Sequence, residues 1–349
     1  MEQNKIFLEN LTGQTTDQVP FWFMRQAGRY LPEYRELRAE AGGFLNLAYN
    51  PEWASEVTMQ PIRRYGMSAA ILFSDILVIP QALGMDLRFE TGEGPKLNAL
   101  QNLDDIKKLN VENIHQTLNP IYETVSQTSQ KLKTENFKET ALIGFAGSPW
   151  TVACYMIEGG GSKNFAKTKE WALSKPDEFS ILIDTLVEAT SAYLLKQIEA
   201  GAEAIQLFDS WAGILDEASF EKWSIKPTKD IVEKIKEHSP ETLIIGFPRE
   251  AGLKTLKYVK QTGIQAVGLD YAMDPVWARD NLQSQLPVQG NLNPLILLEG
   301  GQKMVDTATN ILEIFSNKPF IFNLGHGVIK ETPPENVELL CETIRNFKR

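Results

Sequence analysis

Four arginines crowd the segment MRQAGRYLPEYRELR (24–38), at positions 25, 29, 35 and 38. A planar guanidinium holds a carboxylate through two parallel hydrogen bonds, so Arg25, Arg29, Arg35 and Arg38 could form an anion site. The formal net charge of −10 repels anionic ligands at long range, and any such ligand must be held by a local basic cluster. Gly28 allows close backbone approach, and Pro32 limits regular helix continuation. The competing use of these arginines is pairing with Glu33, Glu36 and other surface acids. A second group is Asp75, set in the apolar run ILFSDILVIPQALG (71–84). Burying a carboxylate is costly unless it is paired. Asp75 is therefore either a charge kept for function or a structural aspartate that caps a turn or meets an arginine. Tyr155 is either a phenol donor to a carboxylate or a core tyrosine.

Other groups offer less. Gly159, Gly160 and Gly161 resemble a phosphate cradle but lack the lysine and Ser/Thr spacing of a P-loop, and read as a flexible turn. Cys154 has no accompanying histidine motif and reads as a small buried residue. His115 and His238 fall in helix-like segments and read as structural.

The elements that must position these groups are short apolar runs separated by helix-like segments. The runs are PFWFM (20–24), AAILF (69–73), ALIGFA (141–146), EAIQLF (203–208), TLIIGF (242–247), QAVGLD (265–270), LPVQG (286–290) and PFIFNL (319–324). They are mostly unalternating and rich in β-branched or aromatic residues, as strands buried on both faces are. Between them, 51–66, 177–201 and 217–239 read as helices. The second places Ile183, Leu186, Val187 and Leu194 near a helical period and ends at Gly201. Pro227 should kink or split the third. Residues 84–97 read as loop or hairpin. Eight strands alternating with helices predict a (β/α)8 barrel of the TIM type with extra loops and helices, a single catalytic domain over 1–349. An open doubly wound sheet fits the same pattern, and the residues that follow the runs favour the barrel. Polar residues follow each run, among them Arg25, Asp75, Ser148, Ser210, Arg249, Tyr271, Asn291 and His326, and would ring the barrel mouth where such active sites lie.

The hydrophobic fraction is 43% and the charged fraction 23%, ordinary for a globular enzyme. No Lys/Arg-rich run suggests nucleic acid, and no segment has the ~18 consecutive apolar residues of a membrane span. The two cysteines are far apart and form no CxxC, so a reducing compartment is expected. Residues 1–20 show no apolar signal core, and the expected location is cytoplasmic.

FMRQAGRYLPEYRELR (23–38), FSDI (73–76), GFAGSPWTVACYMIEGGGS (144–162), FDSWAG (208–213) and NLGHG (323–327) together resemble the uroporphyrinogen decarboxylase family, over essentially the full length. The resemblance implies decarboxylation of the four acetate side chains of uroporphyrinogen to methyl groups, within haem synthesis, with no metal or organic cofactor. It implies that the loop Arg25, Gln26, Ala27, Gly28 and Arg29, with Arg38, binds substrate carboxylates. Asp75 would face the pyrrole NH groups, and Tyr155, Ser210 and His326 would contact the substrate. Catalysis would fall to Asp75, Arg25 and Tyr155, with the proton donor open between Arg25, a water and a substrate carboxylic acid. Asp209 and Trp211 are assigned to structure. The implied partners are the acidic porphyrinogen and a second copy in a homodimer, with neither nucleic acid nor membrane. The alternatives are a corrinoid-dependent methyltransferase sharing this barrel, a barrel enzyme binding a phosphorylated substrate at LGHGV, and a non-catalytic tetrapyrrole-binding protein.

Overall fold

The apolar runs hydrogen-bond side by side, in chain order, into one parallel sheet. In the computed structural model, which describes residues 5–90 and 94–349, nine strands form. They are β1 (Ala69–Ile71), β2 (Leu87–Glu90), β3 (Gly94–Leu97), β4 (Ala141–Gly147), β5 (Ala204–Asp209), β6 (Leu243–Pro248), β7 (Ala266–Gly268), β8 (Val288–Leu292) and β9 (Phe320–Leu324). Seven of them, in the order β1-β4-β5-β6-β7-β8-β9, make the sheet, and every neighbouring pair is parallel. The eighth stave is the PFWFM run. The Phe322 N–H donates to Pro20 O at 2.8 Å and the Trp22 N–H to Phe322 O at 3.3 Å. On the other side the Ser68 N–H donates to Phe21 O at 2.9 Å. Residues 20–22 thus join the last strand to the first and close a (β/α)8 barrel, although only the bridge Phe21–Phe322 is regular.

Every residue of β4, β7, β8 and β9 is buried, as strands with helices outside and side chains inside require. The interior is filled by Trp22, Met24, Ala69, Ile143, Ile245 and Ile321, with Phe7 and Leu11 of the helix Ile6–Leu11 packed on them. A polar chain crosses this core. The Trp22 Nε1–H donates to Gln289 Oε1 at 2.8 Å, and Gln289 Nε2 donates to Gln206 Oε1 at 3.0 Å. Each bond spares a buried polar atom about 1–3 kcal/mol of desolvation cost.

The helices match their sequence patterns. Pro176–Glu199 buries Ile183, Leu186, Val187 and Leu194, and Gly201 follows with a φ of 118°. The third segment stays helical from 217 to 238, and Pro227 distorts rather than splits it: Glu217–Phe220 passes through a π-turn, Glu221–Ile225, directly into Lys226–His238, and the wider turn accommodates the missing Pro227 N–H. The segment 84–97 contains the antiparallel pair β2–β3; its tip, residues 91–93, lies outside the described residues. No helix among the described residues is long and apolar enough to cross a membrane.

Candidate active site

Parallel strands point their C-terminal ends one way, so the residues after them converge on one mouth. The loop from the closing stave enters it first. Arg25 is left-handed, with φ 62°. A non-glycine residue there costs of order 1 kcal/mol and is held by its surroundings. Gln26 is fully buried and holds the turn, accepting from Phe23 N–H at 3.1 Å and donating to Ala69 O at 3.1 Å. Tyr30 Oη donates to Gln26 O at 2.8 Å. From β9, the NLGHG turn passes directly over Arg25. A Cβ on Gly327 would lie 2.3 Å from Arg25 Cδ, so only glycine fits. Ala27 and Gly28 complete the loop half-buried, and Arg29 is exposed.

Among the described residues none of Arg25, Arg29 and Arg38 forms an ion pair. Glu33 is taken instead by Arg64, at 3.4 Å. Arg38 is steered by Tyr34 Oη at 3.3 Å and lies over the Phe44 ring. Arg35 has a structural role, but not the expected pairing with acids: it donates to the carbonyls of Arg29 and Tyr30, at 2.9 and 3.0 Å, and braces the loop. Pro32 does not merely limit a helix; it opens one, Pro32–Glu40. A recess of about 510 Å³ on this rim is lined by Arg29, Arg35, Arg38, Ala39, Lys330 and Glu331.

The floor lies apart from that recess. Asp75 follows β1 and accepts from Leu77 N–H at 2.8 Å through Oδ1 only. Its surface is half-exposed and Arg25 is exposed by area, yet both are surrounded by protein on most sides, as at the bottom of an open bowl. Desolvation follows from those surroundings. It raises Asp75 to about 6, against the opposing pull of Leu77 N–H and Arg25. It lowers Arg25, with Asp75 opposing. Burial also raises the Tyr155 phenol, which stands on the helix Pro149–Glu158 and feels both Asp75 and Arg25. His326 is lowered to about 3 by burial and by the charges of Arg25 and Arg249. It is thus neutral at pH 7. Its Nδ1 accepts the Gly327 N–H at 2.6 Å, which puts the ring proton on Nε2 as a donor. Asp75, Arg25, Tyr155 and His326 therefore share one electrostatic site, and Ser210 follows β5 on the same mouth.

Asp209 has both its oxygens occupied within the protein. It is fully buried, accepting from Thr151 Oγ1 at 2.7 Å and Ser224 Oγ at 2.6 Å. Thr151 Oγ1 also accepts the Trp211 N–H at 3.1 Å, which fixes the FDSWAG turn on either side of Ser210. Gly159 caps the Tyr155 helix with φ 76°, and its carbonyl accepts Leu97 N–H at 3.0 Å. That glycine run is an anchored helix end rather than a loose turn. Cys154 is fully buried, with its thiol pushed up by burial. His115 and His238 bond Tyr122 Oη and Lys234 O within their own helices. Arg249, at the end of β6, is the group that sequence reasoning noticed only as one polar strand end.

A sequence model of uroporphyrinogen decarboxylase (URO-D) matches residues 2–347. The chain belongs to the uroporphyrinogen decarboxylase family. It is 49% identical over 341 residues to a uroporphyrinogen decarboxylase from Rhodospirillum rubrum, covering 98% of this chain and 97% of that one. A uroporphyrinogen decarboxylase from Chelativorans is 51% identical over 345 residues, with 99% of each covered. Among solved structures, a methyltransferase from Methanosarcina mazei superposes with a TM-score of 0.77 at 18% identity, over 98% of both chains. A B12-independent methionine synthase from Shewanella reaches 0.51 at 8% identity, over 96% of this chain and 95% of that one. These two likenesses carry the barrel alone. The methyltransferase reading is not favoured, because about half of all positions agree with uroporphyrinogen decarboxylases.

Proposed function

We propose that this protein decarboxylates the four acetate side chains of uroporphyrinogen III, giving coproporphyrinogen III, in haem synthesis. What supports this reading is Asp75, a desolvated carboxylate with one oxygen left unbonded beside Arg25, on a mouth where Arg25, Arg29 and Arg38 form no ion pair among the described residues. A flat macrocycle with NH groups at its centre and carboxylates around its edge matches that arrangement. Ionised Asp75 accepts hydrogen bonds from the pyrrole NH groups and stabilises positive charge on the ring. Arg25, Arg29 and Arg38, with the Gln26–Gly28 backbone, hold carboxylates. Tyr155, Ser210 and the Nε2–H of His326 orient the macrocycle.

The pyrrole is its own electron sink. A proton adds to the ring carbon bearing the acetate and makes a cationic iminium. The bond to the carboxylate then breaks, carbon dioxide leaves, and its electron pair neutralises the iminium as an exocyclic methylene. Protonation of that methylene and loss of the ring proton give the methyl group, with one proton consumed overall. Arg25 is one candidate donor, but a guanidinium is a weak acid even when lowered by burial; a water held by Arg25 and a substrate carboxylic acid are the others.

The whole chain, 1–349, acts as a single catalytic barrel in the cytoplasm. A homodimer is the assembly that membership of the family implies. The test of function is anaerobic turnover of freshly reduced uroporphyrinogen III by metal-stripped protein, followed by chromatography of the oxidised products. Stepwise seven-, six-, five- and four-carboxylate products are expected. Their absence with folded protein and reduced substrate would end this reading in favour of a tetrapyrrole-binding protein.

A further inference from the structure

The mouth holds more positive charge than its single signature loop supplies. Arg249 follows β6, one strand along from Ser210, and its Nη1 donates to Ser210 O at 3.5 Å. Its side chain is only 12% exposed, and its Nε is buried with no hydrogen-bond partner. A buried guanidinium N–H without an acceptor is costly, so Arg249 is not held in place by a full set of protein partners. The one acid on it is its neighbour Glu250, whose side chain is 43% exposed. The acid is thus the exposed partner of the pair, and it can swing away from the mouth while Arg249 stays in place.

The backbone around this pair is built for it. Glu250 is left-handed, with φ 59°. Its N–H donates to Asp270 Oδ2 at 2.7 Å, while Asp270 Oδ1 accepts from Ala272 N–H at 2.8 Å. The FDSWAG turn lies flush against it, since a Cβ on Gly213 would stand 2.5 Å from Glu250 Cβ. The Gly213 N–H donates to Arg249 O at 3.0 Å. Arg249 is thus fixed at its root and free at one edge of its fork. Its charge is felt by both Arg25 and His326.

We propose that Arg249 binds a carboxylate of the porphyrinogen on the side of the mouth away from the signature loop, and that Glu250 is its counter-ion when the site is empty. This inference rests on the function proposed above. An incoming carboxylate replaces Glu250 on Nη2. The signature arginines and Arg249 then hold the macrocycle from two sides, across Asp75.

The test is steady-state kinetics of the full-length protein with uroporphyrinogen III, comparing wild type with Arg249→Gln, Arg249→Lys and Glu250→Gln. Arg249→Gln should raise KM roughly ten- to hundredfold, the loss of one charged hydrogen bond, with kcat within a few-fold. Arg249→Lys should recover part of that loss, which a merely structural role would not predict from charge alone. Glu250→Gln should lower KM, because the substrate no longer competes with a resident acid. Wild-type KM in Arg249→Gln overturns the carboxylate contact, and an unchanged or raised KM in Glu250→Gln overturns the counter-ion role. Failure of the wild type to turn over sinks the underlying function instead, so the two failures are told apart.

Discussion

Two aspartates follow or end barrel strands on the same mouth, and burial raises both to about 6. Their surroundings differ. Asp209, at the end of β5, is fully buried, and both its oxygens accept from hydroxyls, of Thr151 and Ser224. Asp75, after β1, has one oxygen bonded to a backbone N–H and keeps an open face beside Arg25. The shifted proton affinity alone therefore does not mark a catalytic acid. The unused acceptor directed at open space does, because that acceptor is what a substrate NH would fill.

The comparison can be broken by substitution. Asp75→Asn should lower kcat by about 10²- to 10³-fold, as loss of one preorganised charge partner does, while the protein stays folded and still binds substrate. Turnover near wild type, measured anaerobically, would remove the electrostatic role. Arg29→Ala should raise KM by roughly ten- to hundredfold with little change in kcat, since an exposed rim arginine serves binding; equilibrium titration with coproporphyrinogen checks it. Asp209→Ala should act mainly on stability, because it leaves two buried hydroxyls without an acceptor, at about 1–3 kcal/mol each. Urea unfolding reads that loss, and a normal midpoint would count against the structural assignment. The smallest effect is on the stability of Asp75→Asn at pH 7. A carboxyl raised from 3.8 to about 6 favours the fold in its protonated form. Its stabilising contribution is complete below about pH 4 and lost as pH rises through 6. Removing the charge should therefore raise the melting temperature slightly at pH 7 and leave it unchanged at pH 4.

Most of the barrel was legible because strands buried on both faces are written as apolar runs, and all seven sheet strands fall within or beside such runs. Closure was less visible: the eighth stave makes one regular bridge, at Phe21, and depends on the Ser68 and Pro20 backbone. Pro32, which by type limits helix continuation, here opens a helix, since its missing N–H suits a first helical turn as well as it harms an interior one. Of the site, the arginine loop was legible in residue type but not in partners. Only the fold reveals that Glu33 is taken by Arg64 and that Arg35 braces the loop carbonyls. Asp75 and Asp209 look alike in sequence, each an aspartate beside a serine at a strand end. Arg249 was one polar residue among several, and its significance lies in an unpartnered Nε and a left-handed neighbour, neither of which a sequence pattern records.

The most direct test of the central claim is the pH dependence of kcat/KM for wild-type anaerobic decarboxylation of uroporphyrinogen III, which reports groups of the free enzyme. An acid limb that falls as pH drops through about 6, absent in Asp75→Asn, is expected of a desolvated carboxylate that works ionised. A profile flat from pH 8 down to about pH 5 would place the working carboxylate near its ordinary range and contradict that role.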